Sequence, residues 1–388
     1  MLRPLFSDPV ARLTLAMTAL FCGFGAALPF LPRWLEEERG LTGWEIGAVV
    51  SGAQLGRVVI GPVIAAWADG FADRRSAMRV LAVVGLALYV VFFQAHGFLA
   101  LFALSFLAAS TIQALTPLIE GAALRASQTG SFPFGVARAI GSAGFVLGNV
   151  AGGALIAANG PGMVAVWLLC SLSAVAVFTL GALKPDAAPA TAAGLGYRGR
   201  LRLGWKLAKA PRFARVLFGA GFIQAAHAFF YSFSSLVWRD QGLSDAMTGV
   251  LWAFAVGVEI VFLLALPLIE RRFQPEALLV WGGAAAVVRW MLMALAPPVF
   301  ALWPLQALHA LSFAAVHVAA LRLVLREAPE EVMGLAQTLY AALASGLLIG
   351  LATILSGFLY DAFGAGGYWA MAALAAFGVW LAAPLNAR

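Results

Sequence analysis

The chain is a succession of long apolar runs separated by short polar breaks, repeated from one end to the other. Each run holds about 20 residues, the length a helix needs to cross the hydrocarbon of a bilayer. In lipid, every backbone N–H and C=O must be satisfied within the segment, so such a run is a helix and not an open strand. The strands of a membrane barrel would alternate in character over about ten residues. These runs are twice that and solidly apolar. The reading is twelve spans, over 10–32, 44–68, 77–96, 98–122, 133–158, 162–182, 212–237, 246–269, 276–296, 298–322, 332–358 and 366–385. The first is too long for a secretory leader and opens a series, so it is span 1.

Composition agrees with this reading. Hydrophobic residues make up 62% and charged residues 11%, against about a quarter charged in a soluble domain. The net charge of +7 lies in short loops and forms no basic face, which argues against a nucleic-acid partner. Cys22 and Cys170 both fall inside spans without metal-ligand spacing, so neither a metal nor a cofactor is expected. The expected surroundings are membrane lipid, with the chain acting as a monomer.

The longest stretch that cannot span is 184–211, with six basic residues between Lys184 and Lys209 and one acidic residue, Asp186. Read as a loop, it divides the chain into an N-terminal six-helix bundle (1–183), a linker (184–211) and a C-terminal six-helix bundle (212–388). Lys and Arg set the orientation. Of the 25, Arg33, Arg39 and Arg239 face the far side and Arg57, Arg138 and Arg289 lie inside spans; the other nineteen fall in the linker, the termini and the loops on their side of the membrane. That bias places both termini and the linker in the cytoplasm, in the inner membrane of a cell.

The halves echo each other. Span 1 ends in Trp34, Gly40, Leu41 and Thr42, and span 7 in Trp238, Gly242, Leu243 and Ser244. Span 2 leads to Asp69 and then Arg74 and Arg75; span 8 leads to Glu270 and then Arg271 and Arg272. Two echoes in register point to a duplicated six-helix unit with a parallel repeat. Span 5 carries Gly144, Gly148 and Gly152, and span 11 carries Gly346 and Gly350. Such faces let helices approach closely, for fixed packing or for sliding between halves; the sequence leaves both open. Pro29, Pro32 and Pro117 are expected to mark kinks or irregular ends.

Ionisable side chains inside spans are costly and usually functional. Arg57, Glu259, Arg289, His227 and His309 all lie about 11 to 15 residues into five different spans, near mid-membrane. Glu259 is the expected proton carrier, with Arg289 as its charge partner. A static Glu259–Arg289 pair is the structural alternative. Glu120 and Arg138 sit nearer one end and are expected to pair. His317 follows His309 by slightly over two turns, which places both on one face. Histidine changes charge near neutral pH, so both are candidates for proton handling. Tyr231, Trp252, Gln337 and Tyr340 offer amide and aromatic surface for a small amphipathic solute. No nucleophile–base pair, nucleotide-binding motif or cofactor motif is visible, so neither an enzyme nor an ATP-driven pump is expected.

The stretch from Ala65 to Arg75, AAWADGFADRR, resembles the loop between spans 2 and 3 of the major facilitator superfamily, with Asp69, Arg74 and Arg75 at its charged positions. It departs at Ala65 and Ala72, where that pattern has glycine, and at Gly70, where it has a basic residue. HAFFYSFSSLVWRDQGLS from His227, WAFAVGVEI ending in Glu259 and Ile260, VVRW around Arg289, Leu308 to Ala320, AQTLYAALA from Ala336, LTPLIEGAAL and the run from Arg138 resemble the phenylpropionate permease-like branch, related to the lactose–proton symporters. The resemblance implies a substrate-binding Glu120–Arg138 pair, a span 8 carboxylate at Glu259, a span 9 arginine at Arg289 and proton handling on span 10 by His309 or His317. This chain lacks a carboxylate inside span 10. The implied fold is two pseudo-symmetric six-helix bundles around a central cavity. Spans 1, 2, 4, 5, 7, 8, 10 and 11 would line it.

The expectation is thus a proton-coupled symporter of a small organic solute working by alternating access. The excess of arginine over carboxylate inside the spans favours an anion, and an aromatic carboxylate is the named candidate. A sugar or nucleoside transporter and a drug exporter are the alternatives. Arg57, Glu120, Arg138, His227, Tyr231, Trp252, Gln337 and Tyr340 are the expected substrate-binding set. Glu259, Arg289, His309 and His317 are the proton-coupling set, and Asp69, Arg74 and Arg75 the gating loop.

Overall fold

The structure, a computed structural model, describes residues 9–71, 73–127, 133–181, 197–329 and 333–385. Helices dominate the described residues, and no strand occurs among them. Ten helical stretches are long and apolar enough to cross a membrane, and the bent pair Gly43–Val59 and Gly61–Ala68 adds an eleventh. One of the ten, Met333–Leu385, has 53 residues, about 80 Å of helix and more than two bilayer crossings. It turns at Gly364, whose φ of +51° ends the helix Ile349–Phe363 before Tyr368–Ala382 begins. With that stretch counted as two, the described residues hold twelve spans, the number read from hydropathy.

Local chemistry explains the ends. Gly40 (φ +63°) and Gly242 (φ +85°) take the left-handed conformation where spans 1 and 7 stop, at equivalent places in the repeat. Thr42 then caps Gly43–Val59 in a capping box with Glu45. Ser244 Oγ accepts from the Met247 amide at the start of Asp245–Ile269.

One expectation is corrected, and one bend was not foreseen. Pro29 and Pro32 lie inside the single helix Pro9–Glu37, and Pro117 inside Phe98–Ser127. The unforeseen bend, of 49°, is in span 2, between Val59 and Gly61. There Pro62 sits in the first turn of Gly61–Asp69, where its missing N–H costs no helix hydrogen bond. The linker is not all loop. Residues 184–196 lie outside the described residues, but Tyr197–Lys209 is a helix. Its Leu207 is buried, and Gly204 packs towards Leu335 and Leu339, while Arg202, Trp205, Lys206 and Lys209 are exposed. Hydropathy averages out such an amphipathic helix.

The glycine stripe of span 5 packs within its own half. A Cβ at Gly144 would stand 2.7 Å from the Thr18 carbonyl oxygen, one at Gly152 2.7 Å from Ala26 Cβ, and one at Gly148 would overlap the Cys22 carbonyl. Spans 1 and 5 therefore touch backbone to backbone.

Two compact units divide the chain. One holds Met1–Thr191 with Gly242–Ala253, the other Ala192–Gln241 with Phe254–Arg388. The start of span 8 falls in the first unit because Gly249 lies against the backbone of Asn149 and Gly153. Arg33 adds an ion pair to Asp245 there.

Candidate functional site

The second unit carries a buried polar cluster in an otherwise apolar interior. Span 7 breaks between Pro211–Ala225 and Ala228–Asp240, and His227 stands in the break with a fully buried side chain. Its Nδ1 lies 3.2 Å from the carbonyl oxygens of Ile223 and Gln224, and its Nε2 3.3 Å from Ser312 Oγ. Span 10 is also irregular. Between Val299–Ala307 and Val316–Glu327 it winds as a π-helical turn, Ala310–Ala315. Such turns add a residue and are frequent at functional sites. Here the turn contains Ser312, which reaches spans 7 and 9.

Arg289 on span 9 is the centre of the cluster, fully buried. A buried guanidinium costs several kcal/mol unless its donors are met. Its Nη2 donates to Gln306 Oε1 at 2.7 Å, and its Nη1 lies 3.0 Å from His309 Nδ1 and 3.2 Å from Ser312 Oγ. Its flat faces lie 4.7 Å from the Phe230 ring and 4.5 Å from the Trp290 ring, in cation–π range. The far side of His309 meets span 8, with Nε2 3.5 Å from Glu259 Oε2. The expected Glu259–Arg289 partnership is thus indirect, with the His309 imidazole interposed.

His309, Phe313 and His317 stack along one face of span 10, with centroids 5.1 and 6.1 Å apart and planes within 4°. His317 in turn lies 6.2 Å from the buried Tyr340 ring. Tyr231 packs between His227 and Phe313 at 5.8 and 6.4 Å. Gln337 is exposed and no contact brings it to this cluster.

The first unit holds a separate polar set. Arg57, exposed on span 2, donates from Nε to Gln113 Oε1 at 2.9 Å. Gln113 is itself anchored by Nε2 donating to the Ala53 carbonyl at 3.0 Å. Glu120 and Arg138 form the expected pair at 3.2 Å; Arg138 also donates to Ser142 Oγ at 2.9 Å and lies over the Phe21 ring at 4.7 Å. Trp252 is buried at the start of span 8. In the span 2–3 loop, the Asp69 side chain lies outside the described residues. Asp73 caps the helix Arg74–Gln94 by accepting from the Arg75 amide at 3.1 Å and pairs with the Arg75 side chain.

Sequence reading missed Ser312, Phe313 and Trp290. Gln306 and Gln224 were visible only as amides within spans; Gln224 Nε2 donates to the Phe313 carbonyl at 3.3 Å. A serine carries no hydropathy signal, and its role here depends on the π turn.

Twelve spans in two six-span halves, with a buried ionisable cluster in the second unit, describe a multi-pass membrane protein of the kind that carries small solutes. The model of the MFS_1 like family matches residues 11–371, and the chain belongs to that family, within the major facilitator superfamily. It is 29% identical over 366 residues to the probable 3-phenylpropionic acid transporter of Escherichia coli (strain K12), covering 94% of each chain. It is 28% identical over 349 residues to the maltose permease of Geobacillus stearothermophilus, covering 88% of this chain and 85% of that one. Among solved structures, the nucleoside transporter NupG superposes with a TM-score of 0.82 at 17% identity over 98% of both chains. An inward-facing, unoccupied bacterial Spinster homologue gives 0.74 at 16% identity over 98% and 96%. At these identities the structural likeness speaks for the fold alone.

Proposed function

We propose that this protein is a proton-coupled symporter of a small organic anion, with an aromatic carboxylate such as 3-phenylpropionate as the leading substrate. It would work by alternating access in the inner membrane, with both termini cytoplasmic. The observation that carries the reading is the chain Arg289–His309–Glu259, a buried cation linked through an imidazole to a carboxylate on another span. Protonating Glu259 discharges one end of that chain and alters what Arg289 and His309 are held by. A proton and a solute that favour the same state raise each other's affinity. Anion binding is supported by Arg57. Arg138 has Glu120, and Arg289 is linked to Glu259, whereas Arg57 is held at Nε by an amide and keeps its terminal N–H groups for a ligand. A planar guanidinium fork matches a carboxylate.

The likeness to a 3-phenylpropionic acid transporter names the first substrate to test. The maltose permease relative and the Glu120–Arg138 pair, whose oxygens and N–H groups suit hydroxyls, favour a sugar as the second. The test is uptake into proteoliposomes with an imposed inward-acid or zero pH gradient, using labelled 3-phenylpropionate, maltose and a nucleoside in parallel. Accumulation of the carboxylate only with the gradient supports the reading. Accumulation of maltose or the nucleoside instead overturns the substrate class, and equal accumulation without a gradient overturns the coupling.

A further inference from the structure

The hydrogen bonds around Arg289 have a direction, and that direction assigns protons. A guanidinium has donors and no acceptor. His309 Nδ1, 3.0 Å from Arg289 Nη1, must therefore present its lone pair, and the ring proton sits on Nε2, facing Glu259. A second proton on Nδ1 would set N–H against N–H, so His309 is neutral while this contact holds. His227 is arranged the other way. Its Nδ1 faces two carbonyl oxygens, which only accept, so the proton is on Nδ1. Its Nε2 faces Ser312 Oγ, which accepts from Arg289 Nη1 at 3.2 Å. The Ser312 hydroxyl proton then has His227 Nε2 as its acceptor, which requires a neutral His227 ring.

We propose that Arg289 fixes the two histidines as neutral imidazoles of opposite tautomer, Nε2–H in His309 and Nδ1–H in His227, so that neither takes the transported proton and His309 turns its Nε2–H, at the ion-pair distance of 3.5 Å, towards the Glu259 carboxylate and positions it. This rests on the reading that Glu259 is the coupling group. It revises the expectation that His309 relays the proton. Two lines of donors leave one guanidinium. One runs Arg289, His309, Glu259; the other runs Arg289, Ser312, His227 and the backbone of span 7. Gln306, accepting at 2.7 Å from Nη2, holds the guanidinium in place for both. The other titratable groups packed around the cluster are Tyr231 on span 7, His317 on span 10, Tyr340 on span 11 and Tyr368, whose ring stacks on Trp290 at 5.6 Å. None stands between Arg289 and either imidazole.

The first measurement is nitrogen NMR of the full-length protein in bilayers, labelled at its four histidines and assigned by removing each in turn. A neutral ring shows one N–H nitrogen and one bare nitrogen; a cationic ring shows two N–H nitrogens. At neutral pH the bare nitrogen is expected at Nδ1 in His309 and at Nε2 in His227. A doubly protonated ring at either position, or the same tautomer at both, would overturn the proposal. The second measurement compares two variants by proton-driven accumulation, normalised to counterflow exchange. His309→Gln places an amide nitrogen where Nε2 stands and keeps a donor for Glu259; His309→Asn keeps an acceptor for Arg289 but leaves Glu259 without it. His309→Gln should stay within about tenfold of wild type and His309→Asn fall roughly ten- to hundredfold further, the range for a hydrogen bond to a charged group. Equal loss of accumulation in both, with exchange intact, would make His309 a proton carrier and refute the assignment. Glu259→Gln separates the two readings: if it still accumulates substrate against a gradient, the coupling role of Glu259 fails, whatever tautomers the spectra show.

Discussion

Arg289→Gln tests whether the cluster is one electrostatic unit. The substitution removes a buried cation that serves Gln306, His309 and Ser312 and lies against Phe230 and Trp290. Breaking a buried ion pair by deleting one partner costs about 3–5 kcal/mol, because the remaining charge is left uncompensated. Here the carboxylate side chain keeps 22% exposure and is reached through an imidazole, which places the expected loss at the lower end, about 3 kcal/mol. Glu259→Gln alone leaves a buried cation with neutral acceptors and should cost about 1–2 kcal/mol. If the two charges act together, the double variant loses about 2 kcal/mol rather than the sum of about 4–5, a coupling of the size seen within one network. The assay is reversible chemical denaturation in detergent, followed by tryptophan fluorescence, for wild type, both single variants and the double variant. Costs that add, or a loss below about 1 kcal/mol for Arg289→Gln, would refute the reasoning and leave Arg289 as packing.

Other consequences are open to direct measurement. Arg57→Gln should raise the apparent KM for a carboxylate substrate roughly ten- to hundredfold, as expected for a lost charge-assisted contact, while leaving uptake of an uncharged amide analogue unchanged; equal effects on both would deny Arg57 an anion-binding role. Gly148→Val puts side-chain atoms into the Cys22 carbonyl where spans 1 and 5 meet, and should destabilise by about 1–3 kcal/mol or more. Gly135→Val, where an added Cβ meets nothing within 4 Å, should be tolerated in the same thermal-unfolding screen, and a reversed order would be inconsistent with the packing. For topology, a cysteine placed at Ala193 in a functional Cys-free background should resist membrane-impermeant maleimide added outside intact cells. Strong labelling there would invert the orientation derived from the basic residues.

The twelve spans and the repeat were legible in the sequence because lipid leaves a chain little choice: a run of about 20 apolar residues must satisfy its own backbone, and helix is how it does so. Gly40 and Gly242 could be matched by eye, and the structure gives both the positive φ that makes glycine the suitable residue. The depth of Glu259, Arg289, His227 and His309 could also be counted, since rise per residue is fixed. What counting cannot give is the rotation of each helix about its axis and the identity of the neighbour it meets. The 49° bend in span 2 depends on how one turn starts at Gly61 and Pro62, which a window average does not resolve. The helix Tyr197–Lys209 is polar on average and so is invisible to hydropathy, although Leu207 and Gly204 seat it against span 11. The glycines of span 5 announced a close approach but not their partner, which proved to be span 1. In the cluster, the break at His227 and the π turn at Ala310–Ala315 bring Ser312 and His309 onto Arg289. Local sequence sets which groups lie at one depth. Packing of spans 7, 8, 9 and 10 sets which atoms meet, and so puts His309, rather than open space, between Arg289 and Glu259.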